Sequence, residues 1–366
     1  MPEAVQRYGL CATCVRRQDG GPKDFEAAAD EDCFICRGLM KSSGDLAAMV
    51  VKEARRYEFD TFAIGLSMPE GIQEREDELR SSLKIKGRET VKVQLSNIIG
   101  HEASKALGKK IRKEKPDLTL IVDLKGGRVS AFSRPLFFYG RYTKPAGISQ
   151  RRELCPGCGG RGCDKCGGAG FRRAPSVEKV LRKEFADCGA QGMVFTWIGS
   201  EDRDSVVFPP GRPFLVELKN PVARRLPKRF AAKVRGGRVT VSGGMLLPSR
   251  PAKLPSFRFR TRIIAKASVE VSKESLAELR KSFRDTTVRF NRPYDKATFK
   301  RVSGLRARAA GRAITIDVEL DGGLPVKRFV SGELVSPSVS EVLKAEVRCQ
   351  KFDIRRVIET SGLKLA

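Results

Sequence analysis

The sequence predicts an α+β chain of several domains, and three patterns carry that reading. Eight of the ten cysteines fall into four C-x-x-C pairs, Cys11/Cys14, Cys33/Cys36, Cys155/Cys158 and Cys163/Cys166, so two short stretches can each be stapled by a metal ion. Residues 43–143 mix helical periodicity with apolar strand runs. Beyond about residue 173, apolar and polar side chains alternate with few helical interruptions, the signature of a mostly antiparallel sheet. A chain of 366 residues is long enough for two to four cores. The expected division is a zinc-binding segment at 1–42, a mixed domain at 43–150, a second four-cysteine element at 151–172 and a sheet domain at 173–366.

The first ~40 residues hold too little apolar sequence for a core of their own and read as a metal-stapled knuckle. Two sulfurs separated by two residues can face one tetrahedral ion, and a second pair closes a four-thiolate site with no open coordination position. Zinc in one or two structural sites is therefore expected. No organic cofactor is expected. In a reducing cytosol disulfides are disfavoured. The second set, Cys155-Pro-Gly-Cys-Gly-Gly-Arg-Gly-Cys-Asp-Lys-Cys166, is the tighter, because its glycines let the backbone turn around the ion. The longer spacer of Cys11, Cys14, Cys33 and Cys36 leaves their pairing open. Cys188 and Cys349 have no partner in the pattern and read as small buried hydrophobes.

In the mixed region, Phe59–Leu66 reads as a strand, Glu70–Leu83 as a charged helix, and Val91–Lys113 as a longer helix closed by Pro116. Leu118–Leu124 reads as a buried strand, Lys125–Gly127 as a hairpin turn, and Arg128–Tyr142 as the returning strand, bent at Pro135. That strand ends in Phe137-Phe138-Tyr139-Gly140-Arg141-Tyr142, and Tyr139 and Arg141 are candidates to stack on bases and neutralise phosphate. A Ser cap and apolar spacing predict a helix from Ser176 to Cys188. Strands at Met193–Ile198 and Pro213–Glu217 flank an acidic loop. Arg258, Arg260 and Arg262 alternate with Phe259 and Thr261, predicting a strand with one basic face. Ser272–Phe283 reads as a helix, and 287–302, 313–320, 326–330 and 345–357 as strands.

With 71 Lys and Arg against 43 Asp and Glu, the net charge of +28 points to a polyanionic partner, nucleic acid first. No apolar run approaches the roughly 20 residues of a membrane span. The first residues lack the apolar core of a secretory signal, so a cytoplasmic protein is expected. His101 is the only histidine, which removes His-based triads and His-rich catalytic metal sites. No phosphate-cradling or dinucleotide Gly loop appears. Any chemistry must then use carboxylate, Lys, Arg or Tyr.

Against that charge balance, Gly199-Ser200-Glu201-Asp202-Arg203-Asp204-Ser205 concentrates three carboxylates between two strands, and Gly211-Arg212-Pro213-Phe214 follows. The segment resembles the catalytic loop of the archaeal and eukaryotic tRNA pseudouridine synthases of the tenth class, G-R-E-D-x-D-V followed by G-R-P-F and a strand ending in N-P, here Asn220-Pro221. Ile72–Arg80, Pro116–Asp123 and Pro135–Tyr142 resemble that family's THUMP-type RNA-binding region. Gly322–Lys327 and Pro337–Leu343 match its later motifs in order. The resemblance implies a pseudouridine-synthase-type catalytic domain, with Asp202 as nucleophile, Lys327 as its basic partner and Leu343 packing in the pocket. Arg203 and Arg212 would bind substrate. The implied targets are uridine 55 and uridine 54 of the tRNA T-loop, with the THUMP region holding the acceptor end and no obligatory protein partner. Three positions depart from the pattern: Ser200 replaces an Arg, for which Arg203 is a substitute, while Ala265 and Pro325 occupy positions of two tyrosines expected to orient the base. Tyr294 or Phe259 either supplies a replacement face or packs in the core. The rival reading is a catalytically silent, zinc-containing tRNA-binding or tRNA-chaperone protein.

Overall fold

The computed structural model describes residues 7–18, 26–291, 297–362 and 364–365; Tyr294 lies outside the described residues. The chain divides into two compact units, 1–135 with 188–191 and 219–224, and 136–187 with 192–218 and 225–366.

In the first unit, α1 (Ala12–Arg17), α2 (Ser43–Ala54), α3 (Ile72–Leu83) and α4 (Val91–Leu107) accompany a sheet of order β2-β1-β3-β4. The strands are β1 (Thr61–Ser67), β2 (Lys110–Ile111), β3 (Leu118–Asp123) and β4 (Arg128–Ser133). Strand β1 lies parallel to β2 and β3, and the β3–β4 hairpin is antiparallel. The segment 1–42, expected to stand apart, shares the core: Leu10, Val15 and Ile35 are buried in one cluster with Phe62, Leu79, Leu95 and Leu120. Arg17, fully buried, seals the join. Its Nε donates to Glu76 Oε1 at 2.8 Å, and Glu76 Oε2 in turn accepts the Val91 N–H at the start of α4. A buried charge tolerates such a site only when paired and hydrogen-bonded like this.

Two expectations in this unit need correction. Helix α4 stops at Leu107 rather than continuing to Lys113, because Gly108 takes the left-handed conformation (φ 64°) and its N–H closes on Ser104 O, a glycine stop that apolar periodicity does not register. The returning strand does not run from Arg128 to Tyr142. Strand β4 ends at Ser133, and after Pro135, which has no N–H to donate, the chain resumes as β5 (Leu136–Lys144) in the sheet of the other unit, Leu136 pairing with Leu218. The boundary expected at 150 thus falls at 135.

The second unit is built on a sheet of 11 strands, in the order β15-β12-β13-β14-β11-β16-β7-β5-β9-β8, with β6 also paired to β7. In chain order after β5 come α5 (Val177–Glu184), β6 (Gly192–Trp197), β7 (Val207–Lys219), β8 (Phe230–Val234), β9 (Gly237–Leu247), β10 (Pro251–Lys253), β11 (Phe257–Ala267), α6 (Lys273–Ser282), β12 (Thr286–Phe290) and β13 (Thr298–Ala310). Then follow β14 (Ala313–Asp321), α7 (Val326–Ser331), β15 (Val335–Ser336), α8 (Val339–Leu343), β16 (Val347–Glu359) and β17 (Lys364–Leu365), which pairs with β10. Along the ten-strand path only β16 and β7 run parallel. The mostly antiparallel sheet is as expected. Residues 326–330, expected as a strand, are instead helix α7, because Val326, Phe329 and Val330, three and four apart, share one buried face. The basic face expected on β11 is neutralised. Arg258 and Arg260 both bond Glu319 (3.0 and 2.8 Å), and Arg262 bonds Asp317 through both carboxylate oxygens, carboxylates of the neighbouring strand β14.

Candidate active site

The acidic loop between β6 and β7 is held from behind by buried polar contacts and faces a cleft in front. Arg212 donates from Nε to Ile198 O at 3.0 Å and pairs through Nη1 with Glu201 Oε2 at 2.9 Å. Both side chains are inaccessible, 4% and 0% exposed. Glu201 also accepts from the Tyr142 hydroxyl and the Gln150 amide, and Gln150 donates to Gly199 O as well. Burial, then the Glu201 charge, pushes the Tyr142 hydroxyl well above the ordinary tyrosine value, so Tyr142 is a neutral donor here. Gly199 is required at its place: φ is +80° and a Cβ would stand 2.0 Å from Arg212 Nη2. Val206 N–H, at the far end of the loop, donates to Asp353 Oδ1 at 2.8 Å.

One residue on from buried Glu201, Asp202 turns to the opposite side. Its Oδ2 is 2.9 Å from Lys327 Nζ, with side chains 39% and 58% exposed. The hydrogen bond to Asp202 raises Lys327 above the ordinary lysine value, so it is an ammonium throughout the neutral range. Lys327 reaches this position from α7, whose first turn follows Gly323-Leu-Pro325. The pair opens on a cleft of about 440 Å³, lined by the loop residues Gly199–Asp202, by Arg151 and Trp197, and by an apolar wall that includes Phe259, Leu320, Val326, Phe352 and Ile354. Asp202 is thus beside a cation, but the free protein does not exclude water from it; a substrate seated in the cleft has to do so.

The other sequence candidates divide. Arg203 is exposed, donates to Gly147 O and does not line the cleft, so it does not fill the role of the Arg replaced by Ser200, which does line it. Arg212 touches the cleft but is committed to Glu201, and is a framework group more than a ligand for substrate. Tyr139 is buried, which pushes its hydroxyl up to about 12, and Arg141 is committed to Glu359 at 2.9 Å; neither lines the cleft. Leu343 is buried at the end of α8, outside the residues that line the cleft. Pro325 lines the cleft, whereas Ala265 is fully buried and does not. Phe259 lines the cleft but is 3% exposed beneath the Arg212 guanidinium, 4.7 Å from its ring centre. The residues that sequence reasoning missed are Trp197, Arg151, Gln150, Tyr142 and Lys144. Trp197 is next to the loop in sequence and Tyr142 ends the aromatic run of β5, but neither position says which way its ring faces; Arg151, Gln150 and Lys144 sit in no short motif, and only the fold brings them to the loop.

The cysteines form two clusters, Cys11, Cys14, Cys33 and Cys36, and Cys155, Cys158, Cys163 and Cys166, whose sulfurs lie within 4.8 Å of one another. Four thiolates about 2.3 Å from one tetrahedral ion stand about 3.8 Å apart. The separations are 3.7 Å for Cys11–Cys36, 3.9 Å for Cys155–Cys163 and Cys158–Cys166, and 3.8 Å for Cys163–Cys166. In the second cluster, backbone N–H groups of Gly162, Cys163 and Gly170 point at sulfur from 3.3 Å, the arrangement that stabilises thiolate charge. Both donor sets fit zinc, and the pairing left open for the first set is resolved by its geometry. Among the described residues no helix is long and apolar enough to cross a membrane.

Comparison with known proteins gives the family of the chain. The family profile described as Pus10, C-terminal, matches residues 137–358, and that of the archaeal Pus10 THUMP domain matches residues 46–123. The chain is 32% identical over 373 aligned residues to the tRNA pseudouridine synthase Pus10 of Cenarchaeum symbiosum, covering 97% of this chain and 91% of that one. It is also 32% identical to the protein of the same name from Korarchaeum cryptofilum, covering 92% and 95%. Among solved structures, a chain of the archaeal box H/ACA sRNP Nop10-Cbf5 complex is similar over 61% of this chain and 49% of that one, at 10% identity and a TM-score of 0.33. With one profile spanning more than half of the sequence and relatives aligned over nearly all of it, the chain belongs to the Pus10 family.

Proposed function

We propose that this protein is a tRNA pseudouridine synthase that isomerises uridine 55, and uridine 54 beside it, in the tRNA T-loop, with Asp202 as nucleophile. The observation that carries the reading is the Asp202–Lys327 pair at 2.9 Å, which lines a cleft beside Glu201, the neighbouring carboxylate tied down from behind. The reaction exchanges one bond for another on the same nucleotide. The glycosidic bond from C1′ to N1 breaks, a bond from C1′ to C5 forms, C5 gives up a proton and N1 takes one, so no redox partner is needed. Attack by the Asp202 carboxylate detaches the base, which rotates in the cleft and rejoins through carbon. Lys327 holds the carboxylate in place by a charge-assisted hydrogen bond. A cleft of about 440 Å³ admits a single flipped nucleoside and not a paired helix.

With both family tyrosines replaced, at Ala265 and Pro325, an aromatic face is offered to the cleft by Trp197, itself stacked on Phe195 at 5.5 Å and 11°. A half-exposed indole backed by a second ring is a suitable platform for a base. Arg151, exposed at the cleft edge, supplies a phosphate contact. The net charge of +28 supports a long RNA partner, and the first unit would hold the acceptor end and so set the distance to the T-loop. Zinc, bound by the two four-cysteine sets, supplies cross-links within each unit and takes no part in the isomerisation.

The replaced tyrosines also favour a second reading, a silent tRNA-binding protein. Incubation with unmodified tRNA transcript, followed by carbodiimide treatment and primer extension, separates the two. Wild type should give stops at the T-loop uridines, and Asp202→Asn should bind tRNA unchanged and give none. No stop with wild type would refute the enzyme.

A further inference from the structure

At the end of β5, Lys144 is 2% exposed, an unusual place for an amine in a protein whose surface already carries most of its cations. Its Nζ lies 2.7 Å from Ile148 O, 3.0 Å from Asp202 O, 3.1 Å from Arg203 O and 2.6 Å from Ser205 O. Four carbonyls around one ammonium exceed its three donors, so the N–H groups are shared and no place remains for water. Three of the four carbonyls belong to the acidic loop. Such a cage has the form of a cation site built into the chain, with the tethered ammonium as the ion. Burial pushes Lys144 down to about 8, against the opposing pull of Glu201, Asp204 and Asp202, so at neutral pH it carries its charge and all three donors.

Alternative tasks for this amine are closed off by its setting. It does not line the cleft, so it neither meets substrate nor exchanges a proton with it. It also makes no ion pair shorter than 4 Å with any described carboxylate; its partners are peptide groups of the loop. Nothing else described ties the carbonyls of Asp202, Arg203 and Ser205 to a rigid strand. The Glu201–Arg212 contact fixes the loop at its entry and the Asp353 contact fixes its exit; in the turn between, the side chains of Asp202 and Arg203 reach Lys327 and Gly147 O, and Lys144 is the side chain that holds the backbone carbonyls.

We infer that Lys144 is a positioning residue for the isomerisation: it clamps the backbone from Asp202 to Ser205 and so sets the direction of the Asp202 carboxylate towards the cleft, without touching substrate. The inference rests on Asp202 as nucleophile for its effect on rate, but not for its effect on the loop. A displacement of about 1 Å at a reacting group costs on the order of 100-fold in rate. The Lys144→Met variant, which keeps the stem and loses the donors, should therefore lower kcat by about 100-fold while KM and tRNA affinity stay at the wild-type value. Lys144→Gln, which keeps two N–H donors, should fall between the two.

Hydrogen–deuterium exchange supplies a readout that does not pass through catalysis. In Lys144→Met, peptides spanning residues 202–206 should exchange at least tenfold faster than in wild type, with β11 and β16 unchanged. Equal acceleration across β11 and β16 would assign Lys144 to general stability and overturn the inference, as would wild-type kcat in Lys144→Met, or failure of both variants to fold. An Asp202→Asn protein that still forms product refutes the nucleophile, and the exchange comparison then still decides the clamp.

Discussion

Removing Glu201 should cost more stability than removing any other carboxylate of the acidic loop. The Arg212–Glu201 pair is 2.9 Å long with side chains 4% and 0% exposed, so Glu201→Leu leaves a guanidinium in the interior with its carboxylate gone. An uncompensated buried charge of this kind costs about 3–5 kcal/mol. The Tyr142 hydroxyl and Gln150 amide lose an acceptor at the same time, which keeps the expectation at the upper end of that range. A unit of this size loses roughly 2–4 °C of Tm per kcal/mol, so differential scanning calorimetry should show the second unit melting roughly 6–20 °C earlier. Arg212→Leu should behave alike, for it strands the carboxylate and also gives up the bond to Ile198 O and the contact with Phe259. In the double variant neither charge of the pair remains, so its loss should be smaller than the sum of the single losses by about 0.5–3 kcal/mol. A single-variant loss below about 1 kcal/mol, the size of a surface pair, would refute the view that this contact carries the loop.

Two further outcomes follow from the other contacts. Lys327→Met should lower kcat strongly and leave stability within about 1 kcal/mol, because both members of the Asp202–Lys327 pair are more than a third exposed; equal effects on melting and turnover would count against a role at the reacting centre. The raised value of Lys327 further means that its charge is lost only above the ordinary lysine range near 10.4, so no alkaline loss of rate below that range should trace to it. Zinc content by mass spectrometry should be two ions per chain, and chelation should loosen both four-cysteine segments in limited proteolysis; a single bound ion would show that one of the two sulfur sets closes without metal.

Local patterns made the sheet, the cysteine clusters and the acidic loop legible, because each depends on residues near in sequence. Alternation along 257–267 gives β11, and paired C-x-x-C gives the sulfur sets. What failed depended on distant partners or on single backbone conformations. Arg258 to Arg262 form a basic stripe in sequence and a neutral one in the fold, because the register sets Arg260 opposite Glu319 and Arg262 opposite Asp317. Tyr139 and Arg141 sit in an aromatic and basic run with the composition of an RNA surface, yet the fold buries Tyr139 and pairs Arg141 with Glu359, 218 residues away. Val326–Val330 is too short for period two and period three to four to be told apart by pattern alone. Lys144 was invisible because lysine in sequence reads as surface, and its cage consists of backbone carbonyls that carry no sequence signature.

Adjacent residues 201 and 202 show why the loop as a whole was ambiguous to sequence reasoning. Both are carboxylates in a basic protein, and each has a cation at 2.9 Å. Burial alone distinguishes them. Glu201 is anchored into the interior by Arg212, Tyr142 and Gln150, whereas Asp202 meets Lys327 at the open cleft. The buried pair, fully desolvated and surrounded by further donors, is expensive to disturb and suited to holding geometry. The exposed pair is cheap to disturb, because both its side chains are more than a third exposed. The difference in burial places the stability of the loop on Glu201 and the reactivity proposed for it on Asp202. For the same reason Glu201→Leu should reach turnover only through folding or loop position, whereas Asp202→Asn should reach turnover alone.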